Sequence, residues 1–240
     1  LVSGADFVIA STPYLANYYK QYNANISVWD GPLDVDDIRT NIKKSINYSR
    51  PKIGWFGTML NLPILKELNI KKDITTITTG GDIEWRKETI DKEIQKFDLV
   101  CLPQRHNPQG FSKTNCRMLK SLYLGVPVLA SSIPSYIELA NFLDYPSELI
   151  LGENDDWNER IEKIIIGEIK INLDFSKIRK LILSRYSIQN SVEKWLQLIN
   201  SFHKEPRTSF FGKLKQRKDL IKDGINQCYI NLTRNLIFKK

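Results

Sequence analysis

The sequence predicts an α/β fold, a doubly wound and mostly parallel sheet, on two observations. Short runs rich in Val and Ile alternate with helical patterns of about ten residues, which is the rhythm of βαβ units. The apolar fraction of 42% against 26% charged is that of a soluble domain with material for a sizeable core. Right-handed crossovers then place helices on both faces and ligands at the carboxyl ends of the strands.

Along the chain, Asp6–Ser11 is the first strand-like run, followed by a helical pattern at Pro13–Tyr22 and a second run at Ile26–Trp29. Asp30-Gly31-Pro32-Leu33-Asp34 and the polar residues up to Pro51 are rich in turn formers and read as an interdomain connection. Strand-like runs resume at Lys52–Phe56, Ile74–Thr78, Asp82–Trp85, Leu99–Pro103, Pro127–Ala130 and Glu148–Leu151. Helical patterns fall at Pro63–Leu68, Glu88–Phe97, Thr114–Leu124, Ser135–Leu143, Trp157–Gly167 and Ser187–Phe202. Lys204-Glu205-Pro206-Arg207 closes the last of them. Beyond it, Phe210, Phe211, Leu214, Leu220, Ile221 and Ile225 fall among basic residues, and Tyr229, Leu232, Leu236 and Ile237 continue a roughly helical spacing. The expected divisions are residues 1–34, 35–203 and a basic amphipathic tail, 204–240.

The net charge of +8 belongs to that tail, where ten Lys/Arg stand against three Asp/Glu, while the preceding residues are nearly neutral. A whole-chain argument for nucleic acid therefore fails, and no nucleic-acid partner is expected. The tail reads either as an interfacial helix for an anionic membrane or as a solvated segment. Cys101, Cys116 and Cys228 show no CxxC or Cys/His spacing. Each reads as a small buried residue or a free thiol in a reducing compartment, and no metal site is expected. No run approaches the roughly 18 apolar residues of a membrane span. The opening Leu1–Ser11 lacks the basic start and long apolar region of a signal peptide, and without an initiator Met the chain reads as a fragment. The expected location is cytoplasmic, peripheral at the inner membrane face if the tail binds lipid. Trp55, Trp85, Trp157 and Trp195 read as core or interface residues.

One stretch carries chemistry. Asp98–Pro103 is a buried strand ending in proline, the loop Gln104–Ser112 follows, and Lys113-Thr114-Asn115-Cys116-Arg117 opens a helix that ends at Gly125. Loop and helix start would meet at the carboxyl edge of the sheet, where unpaired N–H groups and the helix dipole favour anions. Lys113 and Arg117, four apart, would project from one face of the first turn and meet a diphosphate, or else stand solvated.

Asp98–Pro103, Lys113–Arg117, Tyr123-Leu124-Gly125-Val126-Pro127-Val128-Leu129-Ala130 and Ile133-Pro134-Ser135-Tyr136 resemble the C-terminal donor-binding half of retaining GT-B-fold glycosyltransferases, close to the family 4-like members that build bacterial surface polysaccharides. Residues 1–34 would then hold the end of the N-terminal acceptor domain and the linker, and Ile53–Thr58 the first strand and glycine turn of the Rossmann-like donor domain. The resemblance implies transfer of a sugar from a UDP- or GDP-linked donor to a glycan or lipid-linked acceptor, with the donor as substrate and no cofactor. Lys113 and Arg117 would stabilise the leaving diphosphate. Gly57 and Thr58 would admit its phosphates, or form a turn that needs glycine for its conformation. Ser132, Ser135 and Tyr136 would line the nucleotide side, with Ser135 a natural N-cap.

Two positions depart from the family pattern. Lys120 stands where an acidic residue or Gln accepts from the ribose hydroxyls, and an ammonium has no acceptor lone pair. Cys116 replaces the Asn before Arg117. Either another group, Glu138, takes the ribose, or donor binding is weakened, leaving a degenerate nucleotide-binding or scaffolding module. His106 falls in the loop at the edge of this site.

Overall fold

The computed structural model of the chain describes residues 2–33 and 47–202. The tail 204–240, its boundary at Lys204–Arg207 and the stretch 34–46 of the connection lie outside the described residues. Asp30–Ser191 forms one compact unit; the described residues up to Trp29 and those from Val192 onward form a second.

The second unit contains β1 (Val8–Ala10), α1 (Pro13–Tyr19) and β2 (Ile26–Val28), with β1 and β2 paired in parallel. Thr12 caps α1 by accepting from Leu15 N at 3.2 Å, and Pro13 occupies the first turn, where its missing N–H is not needed. Trp29 and Trp195 meet edge to face at 5.4 Å.

The larger unit is built on five strands: β3 (Ile53–Phe56), β4 (Ile74–Ile77), β5 (Leu99–Leu102), β6 (Val128–Ser131) and β7 (Ile150–Leu151). They are parallel throughout and run in the order β4-β3-β5-β6-β7. Chain order therefore reverses between β3 and β5, the switch point at which doubly wound sheets hold ligands. Every residue of β3, β5 and β6 is buried, as expected of parallel strands covered on both faces. This is the α/β sheet that the alternating pattern predicts.

Helices follow the strands: α2 (Leu62–Glu67), α3 (Ile90–Ile94), α4 (Pro108–Phe111), α5 (Cys116–Tyr123), α6 (Pro134–Leu143), α7 (Trp157–Ile165), α8 (Phe175–Tyr186) and α9 (Ile188–Phe202). Two were not predicted. In α4, Asn107 accepts from Gly110 N at 2.9 Å, turning part of the expected loop into one helical turn. In α8, the Asp174 carboxylate accepts from Ser176 N and Lys177 N at 3.0 Å, and Ile178, Ile182 and Tyr186 form a buried stripe.

Three expected elements change. Asp82–Trp85 is not a strand: the Asp82 carboxylate accepts from Thr76 N and Thr76 Oγ1 at 2.8 Å, leaving one bridge, Ile77 to Ile83, and Trp85 exposed. The helix expected from Thr114 begins at Cys116, because Lys113 N still donates to Gly110 O at 3.0 Å and closes α4. At α6, Pro134 takes the first helical position and Ile133 the cap, so Ser135 is not an N-cap. The described end of the connection packs into this unit, where Leu33 is buried and donates its N–H to Tyr186 O at 2.8 Å.

Candidate functional site

The carboxyl ends of β3, β5 and β6 lie side by side, neighbouring strands being about 4.8 Å apart. Arg117, in the first turn of α5, reaches the end of β3, where Nη1 donates to Phe56 O at 3.1 Å. Gly57 makes room for it. A Cβ there would stand 2.9 Å from Arg117 Nη1 and 3.0 Å from Trp55 Cζ2. Gly57 does not have a positive φ, so space and not backbone conformation requires the glycine. Thr58 is exposed, and its hydroxyl accepts from Asn61 Nδ2 at 3.2 Å. Lys113 precedes α5 and so does not share a helical turn with Arg117, contrary to the spacing argument; it is half-buried, with no side-chain partner among the described residues.

Ser132, Ser135 and Tyr136 follow β6. Ser132 Oγ lies 3.0 Å from His106 Nε2, tying the end of β6 to the loop after β5. Ser135 and Tyr136 are buried; among the described residues neither hydroxyl has a partner in regular hydrogen-bond geometry, although the Tyr136 phenol interacts with the Arg117 side chain. Burial pushes the Tyr136 phenol above its ordinary pKa, with the nearby Arg117 guanidinium opposing the shift. Glu138 is held by Arg185, whose Nη2 also meets Asp30 Oδ2 at 3.0 Å. Desolvation works against the Arg185 charge, but the hydrogen bonds to Glu138 and Asp30 prevail and raise its pKa. Lys120 points to α3, where its Nζ lies 3.0 Å from Asp91 Oδ1, with both side chains nearly buried.

A cavity of about 400 Å³ opens at the ends of β5, β6 and β7, between α2 and the start of α7, within the usual size range of ligand pockets. Gln104, His106, Ser131, Glu67, Glu153 and Trp157 are among its walls, whereas Lys113, Arg117, Gly57, Thr58, Ser132, Ser135, Tyr136 and Glu138 are not. The loop above it is tightly folded: a Cβ on Gly110 would lie 1.8 Å from Arg105 O. Arg105 is ion-paired to Glu67 at the rim. Gln104 is 5% exposed; its backbone N–H donates to Ser131 Oγ at 2.9 Å, while its carboxamide N and O have no partner among the described residues. Sequence reasoning passed over Gln104 as one residue of a loop. Its signal was position, since it is a carboxamide directly after the proline that ends a buried strand at the sheet's carboxyl edge.

Among the described residues, the buried side chains with unpartnered polar atoms are Trp29, Trp55, Gln104, Ser135 and Tyr136. All but Trp29 belong to the last residues of β3 or to the segments leaving β5 and β6. Buried polar groups in proteins are nearly always paired, with protein, ordered water or a ligand, so these positions are the candidates for a ligand to complete.

No protein-family model matches the chain. It is 30% identical over 119 residues to a poly(ribitol-phosphate) alpha-N-acetylglucosaminyltransferase of Staphylococcus aureus (strain COL), a match covering 47% of this chain and 22% of that protein. In fold it is similar to a sucrose-phosphate synthase from Thermosynechococcus elongatus, with a TM-score of 0.54 at 12% identity, over 84% of this chain and 59% of the other. The chain thus spans less than two thirds of the length of either protein. The first likeness supports a relationship to glycosyltransferases, and the second shows the fold alone.

Proposed function

We propose that this chain is the donor-binding half of a GT-B glycosyltransferase, moving a sugar from a UDP- or GDP-linked donor onto a polysaccharide or lipid-linked acceptor with retention at the anomeric carbon. The observation that carries this reading is that Trp55, Gln104, Ser135 and Tyr136, on or after strands at the carboxyl edge of the parallel sheet, keep unpartnered buried polar atoms among the described residues, and that the Arg117 guanidinium reaches the same edge at Phe56 O. As the bond between the sugar and its diphosphate breaks, negative charge grows on the leaving phosphate. Arg117 is held in place by Phe56 O with other guanidinium N–H groups to offer, and Lys113 has no competing side-chain partner among the described residues; both suit that charge. The reading places the protein in the cytoplasm, with the basic tail able to meet an anionic membrane face.

Thermal shift tests it. UDP or GDP should raise the melting temperature, and the rise should shrink as salt is added, because the contact is ionic. Arg117→Ala should weaken nucleoside diphosphate binding by about tenfold, the worth of one charge-assisted hydrogen bond. No shift with either nucleotide, and none lost in Arg117→Ala, would overturn the proposal.

A second reading rests on Lys120. The position where the resemblance expects a ribose acceptor carries a cation already paired with Asp91. On this reading the chain binds nucleotide without turnover and serves as a module beside an active transferase. Turnover of a sugar nucleotide by the full-length gene product, followed as release of nucleoside diphosphate, would exclude it.

A further inference from the structure

We infer that the cavity walled by Gln104, Glu67, Glu153 and Trp157 receives the uncharged sugar ring of the donor, and that the Gln104 carboxamide selects it by its hydroxyl groups. The inference rests on the nucleotide-sugar reading and deepens it.

The electrostatics of the walls come first. Arg105 is the one Lys or Arg among the lining residues, and Glu67 already holds it. Glu153 adds a second carboxylate. A diphosphate entering here would meet like charge and no uncommitted cation. The ligand portion that fits is therefore neutral, and the phosphates belong beside Arg117, one strand away at the end of β3.

Hydrogen-bonding chemistry then separates a sugar from a base. A carboxamide offers one acceptor oxygen and two N–H donors, and both ends of Gln104 are unpartnered although the residue is 5% exposed. Such a group is expensive to bury unless a ligand completes it. Its position is fixed, because its own N–H is tied to Ser131 Oγ at 2.9 Å. A pyranose presents several hydroxyls, each able both to donate and to accept, so it can satisfy Gln104 and also donate to Glu153. A uracil edge has one N–H, which leaves none for the carboxylate once the carboxamide has taken it; a guanine edge could serve both, and the GDP arm of the test below separates that case. Trp157 and Leu68, also in the wall, give an apolar surface for the C–H face of a sugar ring.

Titration calorimetry on the full chain tests this with UDP, UDP-glucose, UDP-N-acetylglucosamine, GDP and GDP-mannose, in wild type, Gln104→Met and Gln104→Ala. One sugar nucleotide should bind wild type about tenfold tighter than its parent diphosphate, the gain of one or two ligand hydrogen bonds. In both variants that gap should close, with diphosphate affinity unchanged within about twofold. Gln104→Met should not lower the melting temperature of the ligand-free chain, because it removes an unpartnered buried carboxamide. Equal weakening of diphosphate and sugar nucleotide would place Gln104 on the base or ribose and overturn the inference. So would diphosphate binding with no sugar-dependent gap in wild type, or a gap that survives both variants. Absence of all nucleotide binding is a different result: the transferase reading itself then fails.

Discussion

At Gly57 a single added methyl group would land 2.9 Å from Arg117 Nη1, the far end of a flexible side chain. The guanidinium can swing away more cheaply than the strand can move, so Gly57→Ala is expected to act through Arg117. Its melting temperature should fall modestly, because the buried Trp55 ring 3.0 Å away must also give, while affinity for UDP or GDP falls by about tenfold, as in Arg117→Ala. Combining the two substitutions should add almost nothing, since both remove one contact; additive losses in calorimetry would show that Gly57 matters independently. Lys120 gives the opposite pattern. Its ammonium faces Asp91 in a nearly buried pair, so Lys120→Ala removes the cation beside a buried carboxylate and should destabilise the fold by about 3 kcal/mol in urea unfolding. Nucleotide affinity should stay within about twofold, and a large loss of binding with no loss of stability would place Lys120 in the site. The departure at Lys120 was legible in the sequence. Its reason was not, because the partner Asp91 is separated from it by 29 residues and lies on a helix whose packing no local pattern reveals.

The elements that sequence reasoning found are those whose burial leaves a continuous apolar signature: β3, β5 and β6, each wholly buried, and α6, with Leu139, Ala140 and Leu143 inward. Short or interrupted elements were less legible. In α4 a single turn depends on the Asn107 cap, and in β7 only two residues remain after a 3-10 turn at Ser147–Leu149. The miss with most consequence for the site is α8, whose apolar stripe is interleaved with Lys and Arg. It straps α5: Tyr186 Oη accepts from Asn115 Nδ2 at 3.1 Å, and the Arg179 guanidinium stands 4.2 Å from the centre of the Tyr123 ring. Arg185 extends the strap to Glu138 on α6. The helix that carries Arg117 is thus held at both ends by an element outside the sheet. Asp174 starts that strap, and Asp174→Ala is expected to destabilise the chain by about 1 kcal/mol by leaving Ser176 N–H and Lys177 N–H uncapped. Urea unfolding measures the cost; Asp174→Asn, which keeps an acceptor, should recover most of it.

At the scale of the whole chain, the described residues bury phenols and a thiol whose neutral forms the fold favours. Burial pushes Tyr186 from its ordinary 10.0 to about 12, against the opposing pull of Arg185, and pushes Cys101 from 9.0 to about 12. Tyr145 moves further in the same direction, its hydroxyl donating to Val128 O and accepting from Val128 N, both at 2.8 Å; Tyr136 is raised as well. Their pKa values are raised on folding, so their contribution is complete below the pKa values of the unfolded chain and disappears as pH rises through those of the folded one. Above pH 9 to 10 the unfolded chain releases protons that the folded chain retains, which tilts the equilibrium towards unfolding. The urea midpoint should therefore hold from neutrality to about pH 9 and fall steeply as pH approaches 12. Tyrosinate absorbance at alkaline pH gives the site-specific check. Far-ultraviolet dichroism followed through the same titration reports the fold. The phenols of Tyr136, Tyr145 and Tyr186 should ionise only together with its loss. Tyr145→Phe should lower the urea midpoint at neutral pH, because the Val128 N–H and C=O lose that partner, and should remove one phenol from the late step. A titration in which Tyr136, Tyr145 and Tyr186 ionise near pH 10 with the fold intact would mean that these phenols are open to water, and with Tyr136 the site around Arg117.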